Sequence, residues 1–144
     1  MGLEPRKLKR ILELKKRIEQ AKKGEVVSAR TELDEAQLKL LHAQSEQNMR
    51  LSELQNAAEV SATELADRAR FVVLAGQQVG VARTYVAQKD KEFLAREEAR
   101  MLATRDVRTF EILNEKARDE LRTSQRKAEQ SAADEVASTR WSKA

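Results

Sequence analysis

Cysteine is absent from this 144-residue chain; proline occurs once, glycine four times, and aromatic residues make up only 3%. Without cysteine there is no disulfide framework and no thiolate metal site. With so little glycine and proline the chain has few places to turn. With so few aromatics it lacks the bulk of a globular core. No apolar run approaches the roughly 18 residues of a transmembrane span. The opening MGLEPRKLKR also lacks the apolar segment of a secretory signal, so a cytoplasmic protein is the default expectation. The one histidine, His42, has no second histidine or cysteine to complete a metal site. No phosphate-binding glycine loop or nucleophile motif is present. Neighbouring carboxylates such as Glu97 and Glu98 would point to different faces of a helix rather than form an acid/base pair. Neither catalysis nor a cofactor is expected.

What the chain does have is charge, 36% of residues, among Ala, Leu, Glu, Lys, Arg and Gln. All of these are good helix formers, and with a heptad period they point to a coiled coil. Stepping by seven from Leu65 gives Val72, Val79, Val86, Phe93, Arg100, Val107, Asn114 and Leu121. A companion row holds Ala75, Ala82, Lys89, Arg96, Ala103, Phe110 and Ala117. A seam sustained this long predicts one helix over residues ~62–140. In the first half, Ile11 and Ile18 pair with Leu14 and Ala21, and from Val26 a row runs through Leu33, Leu40, Gln47 and Leu54 with Ala29, Ala36, Ala43 and Ala57. These two registers differ by one residue, which places a skip near Gly24 inside a helix of residues ~5–58. Pro5 suits a first-turn position.

Ser61-Ala62-Thr63-Glu64 has the form of a capping box, so the turn is expected at ~58–62. Gly76 to Gly80 is the rival position, but the seam crosses it unbroken. The expected fold is all-α: a single two-helix antiparallel coiled-coil hairpin over residues 1–144 with a longer second helix. Residue i would face roughly 119 − i. Beyond about Ala117 the second helix would have no partner, an overhang of roughly 35–40 Å at 1.5 Å per residue, and such an isolated extension frays without one.

Charge is unevenly placed. Residues 1–24 hold nine basic residues against three acidic ones, +6, which leaves −2 for the remainder. The basic start could bind acidic lipid or nucleic acid, but Glu4, Glu13 and Glu19 interrupt it and no aromatic is interleaved for base stacking. A protein-binding face is the better reading. In Phe71-Val72-Val73-Leu74 four bulky residues cannot all face one partner helix, so Phe71 and Leu74 share an outer edge. That edge serves packing near the turn or docking of a partner.

Three stretches resemble the FliJ family of the bacterial flagellar type III export apparatus: LKRILELKKRIEQAKK near the start, RFVVLAGQQV after the turn, and AEQSAADEVASTR in the tail. The last carries Glu129, Gln130, Asp134, Glu135 and then Arg140, and departs from the family by having Ser131 where a basic residue is usual. The resemblance implies a non-enzymatic coiled-coil stalk that binds and activates a FliI-like export ATPase ring and couples it to a FlhA-like export gate. Some members also handle export chaperones. Carried over, the ATPase-facing residues would be Arg6, Lys7, Lys9, Arg10, Lys15, Arg17, Glu129, Gln130, Asp134, Glu135 and Arg140. The gate-facing residues would be Phe71, Leu74, Ala75, Gln78 and Ala82. Such a protein would be cytoplasmic and peripheral at the inner-membrane export apparatus. A YscO-like injectisome stalk and a generic self-associating coiled coil are the alternatives.

Overall fold

A computed structural model describes residues 4–56 and 58–143. It contains two helices, α1 (Pro5–Gln55) and α2 (Ala62–Lys143). The fold is the expected all-α one, two helices paired antiparallel with the second the longer. Ala57, one of the alanines expected in the seam, lies outside the described residues.

The chain divides into two compact units, one of residues 22–100 and the other of residues 1–21 with 101–144. The first is a hairpin closed by the turn after α1. Ser61 caps the start of α2: its hydroxyl accepts the Glu64 N–H at 3.2 Å, one of the two bonds of a capping box. The end of α1 is closed differently. No described residue adopts positive φ, so the usual left-handed glycine cap is absent. Instead the Arg68 guanidinium donates to the Glu53 carbonyl at 2.8 Å and satisfies one of the carbonyls a helix end leaves open. The chain continues as helix through Gly76 and Gly80. A Cβ at Gly80 would meet nothing within 4 Å, and one at Gly76 would make ordinary contact, 3.5 Å, with the Gln47 side chain.

The seam of this hairpin is made of small and medium side chains. Ala29, Leu33, Ala36, Ala75 and Val79 are buried, and Val26, Leu40, Ala43, Gln47, Arg50 and Leu54 continue the α1 row half-buried. Ion pairs Glu32–Lys89 (3.2 Å) and Glu25–Arg96 (3.5 Å) cross between the helices. Both join residue i to 121 − i, two residues from the expected offset.

In the other unit Leu8, Leu12, Ala103, Val107 and Asn114 are buried. Here the sequence reading needs correcting. Leu14 and Ile18, expected in the seam, are exposed, and Lys15 and Glu19 occupy it half-buried. Lys15 pairs with Asp106 at 3.5 Å and lies over the Phe110 ring at 5.8 Å. With Leu8, Leu12, Lys15, Glu19, Lys22 and Val26 inward, the α1 row steps by four and three without interruption, so no skip occurs at Gly24. Lysine and glutamate stems are long enough to pack in a narrow seam while their charged ends reach water, so here polarity does not mark the outer face.

Every described residue of α2 after Ala117 is exposed. The helix nonetheless continues to Lys143, and along it the Thr123 and Thr139 hydroxyls donate to the Asp119 and Glu135 carbonyls, each at 2.9 Å.

Candidate partner-binding surfaces

Consider first the hairpin of residues 22–100. Phe71, Leu74 and Gln78 lie outside the seam on α2, and all three are exposed. Ala75 does not join them: it is only 4% exposed, because it belongs to the seam row that faces α1. Ala82 lies in the same row, half-buried, and still lines the groove beside Leu74 and Gln78. The outer edge also holds Val81 and Tyr85, 71% and 40% exposed, which sequence reasoning missed. The signal was available: 71, 74, 78, 81 and 85 repeat the 3-4 spacing of a heptad one residue ahead of the seam.

Cations back both aromatic rings of this edge. The Arg50 guanidinium lies 5.0 Å from the Phe71 ring centroid and is held by Glu46 at 3.0 Å and Glu53 at 3.2 Å. The hydrogen bond to Glu53 raises the Arg50 pKa further above its ordinary value, against the lowering effect of desolvation and with help from the charge of Glu46. Lys39 and Lys89 lie 5.7 and 5.4 Å from the Tyr85 ring. Lys89 is held by Glu92 and Glu32, each at 3.2 Å. Those two hydrogen bonds, Glu92 first, raise its pKa above the usual lysine value. In contacts of this kind the cation is attracted to the negative face of the ring. They also keep a partly exposed ring in one place. Beside the Tyr85 ring a groove of about 690 Å³ is lined by Lys39, Leu74, Gln77, Gln78, Val81, Ala82 and Tyr85.

In the unit of residues 1–21 with 101–144, Arg6, Lys7, Lys9, Arg10 and Arg17 are exposed, whereas Lys15 lies in the seam. The first turn of α1 holds no acidic residue, so Arg6 and Lys7 sit at the end of the helix where its dipole is positive. Each cation there is unfavourable by about 0.3–1 kcal/mol. An anionic partner would relieve that.

The tail residues Glu129, Gln130, Asp134, Glu135 and Arg140 are all exposed. At 100° per residue they do not form one face. Gln130 and Asp134 share a side, Glu129 and Arg140 share another, and Glu135 points elsewhere. Trp141, at 86% exposure the barest large apolar side chain among the described residues, adds an apolar surface near the end of α2.

Among the described residues no group of three or more His, Cys, Asp or Glu could hold a metal ion, and no helix is long and apolar enough to cross a membrane. Residues 5–144 match the family model described as Flagellar FliJ protein. Comparison with curated proteins and with solved structures gave no match.

Proposed function

The chain belongs to the flagellar FliJ family, and from that membership we propose that it is the coiled-coil stalk of a flagellar type III export apparatus. In this reading it is not an enzyme; it activates a FliI-like ATPase ring, engages a FlhA-like export gate, and escorts export chaperones. The family match over residues 5–144 carries the proposal. Two features of the surface support the division of labour. The basic start of α1 and the exposed tail of α2 belong to one unit, and both are expensive or idle without a partner: cations sit at a helix N-terminus, and a helix runs on with no seam to bury. The Phe71 edge is apolar and belongs to the other unit. The proposal therefore assigns the ATPase ring to the charged unit and the gate to the apolar edge. Its place would be cytoplasmic, peripheral at the inner-membrane export apparatus.

The test is direct. The purified chain should raise ATP hydrolysis by the FliI-like ATPase of the same genome and co-sediment with its ring. Replacing Arg6, Lys7, Lys9 and Arg10 together by glutamine should weaken both effects. Absence of stimulation and of co-sedimentation refutes the ATPase role.

A further inference from the structure

We propose that the Phe71–Tyr85 edge of α2 receives an amphipathic α-helix of the docked protein, packed as an added coiled-coil strand, with a carboxylate of that helix meeting Lys39. This rests on the reading that the edge docks the export gate, and it specifies what part of the partner is held.

Spacing is the first reason. Phe71, Leu74, Gln78, Val81 and Tyr85 recur by three, four, three and four, the spacing of the seam itself, over 14 residues or about 21 Å. Side chains in such a row leave holes that fit the knobs of another helix. An extended strand, whose same-face residues recur every second position, does not keep step with them. The second reason is charge. In a chain that is 36% charged, residues 71–82 carry no ionisable side chain, and that leaves the edge suited to an apolar seam. Its aromatic ends are fixed beforehand, Phe71 by Arg50 and Tyr85 by Lys39 and Lys89. Arg50 and Lys89 are each already paired with two glutamates. Lys39 differs: it lines the groove, and no ion pair joins it to a carboxylate among the described residues. It is therefore the cation left to recognise an acidic residue beside the incoming apolar seam. Nucleic acid and an acidic lipid surface fit poorly, since the edge itself is uncharged.

The experiment uses the full chain and the purified cytoplasmic domain of the FlhA-like gate protein. A photoreactive p-benzoylphenylalanine is placed at position 74 or 81, and the crosslinked residues of the gate domain are mapped. The two positions are seven residues apart, so the partner sites should also lie about seven residues apart within one helix. Val81→Glu should weaken binding at least tenfold and Lys39→Glu about fivefold, with helix content by circular dichroism unchanged, because both side chains lie outside the seam. Phe71→Ala separates the two levels. If it leaves gate affinity unaltered, the docking reading fails. If it weakens binding while Val81→Glu and Lys39→Glu do not, the added helix is refuted. Crosslinks scattered over a non-helical surface refute it too, and crosslinks between two copies of this chain would make a second copy the occupant instead.

Discussion

Replacing Gly24 and Gly80 by alanine tests whether the helices are held by their own propensity as well as by the seam. Both glycines lie within helices, and a Cβ at either meets nothing within 4 Å. Neither substitution makes or breaks a packing contact, so its effect reduces to the backbone. Glycine is about 0.8–1.0 kcal/mol less favourable than alanine in a helix interior, and part of the difference arises in the unfolded chain, where alanine has fewer conformations to lose. Each substitution should therefore stabilise by about 0.8–1 kcal/mol. The two positions share no partner, so the double variant should gain about 1.5–2 kcal/mol by additivity. Thermal and urea unfolding followed at 222 nm would read this as a higher midpoint with unchanged slope. A destabilised Gly80→Ala variant would refute the reasoning, since it would require a contact at Gly80 that the structure does not contain. Gly80 also lies beside Val81, so gate binding should be measured in the same variant. A more stable protein that binds less well would show that the docking edge has to bend.

Four further outcomes follow from particular side chains. Leu33→Ala removes one of the most buried side chains in the seam; it should cost about 2–3 kcal/mol, the lower part of the usual range, because water readily reaches a two-helix seam. Asn114→Leu should raise stability by about 1–2 kcal/mol, since a buried polar side chain in a seam lowers stability and favours one register; light scattering should show whether self-association rises with it. Lys89 has a pKa raised in the folded state, so its contribution is fully present below the unfolded-state lysine value and is lost as pH rises through the folded one; unfolding of wild type minus Lys89→Met should be flat with pH up to about 10 and move against wild type beyond it. Alanine at Glu129, Asp134 and Glu135 together should reduce ATPase stimulation while helix content stays nearly constant, because none of the three forms an ion pair or a contact across helices among the described residues; a large loss of helicity would mean that they only stabilise the rod.

Much of the fold could be read from the sequence because heptads are a local signal. The α2 seam was visible in Val72, Val79, Val86 and Val107, and the turn in Ser61 and Glu64. What could not be read were the places where polarity and burial part company. Leu14 and Ile18 look like seam residues and Lys15 and Glu19 do not, yet the unbroken four-three row fits only the charged pair. Arg68 could not be identified as the cap of α1, since its contact with Glu53 spans 15 residues of chain. The offset between helices is likewise set by pairs such as Glu32–Lys89, which no single helix announces. For the apolar edge of α2, the presence of a patch near Phe71 was legible and its direction was not: Ala75 and Ala82 follow the same spacing rule as Val81 and Tyr85, and only the placement of α1 decides which row turns inward.

That last distinction bears on how the protein works. The seam holds Ala29, Ala36, Ala75 and Ala103 beside Leu8, Leu12, Leu33, Val79 and Val107, while Phe71, Leu74, Val81, Leu14 and Ile18 stay outside it. A protein selected for stability alone would place its larger apolar side chains inside, where each full burial is worth about 1.5–3 kcal/mol. Here alanines fill nearly half of the buried apolar positions, and several bulky side chains face outward, where another molecule can cover them. Moving bulk inward, as in Ala36→Leu, should widen the seam through overpacking and cost about 1–3 kcal/mol. It should also weaken gate binding, because the Phe71 edge depends on the position of Arg50 and Lys39 across the helix pair. Unchanged gate affinity in a variant with a measurably displaced seam would show that the edge belongs to α2 alone.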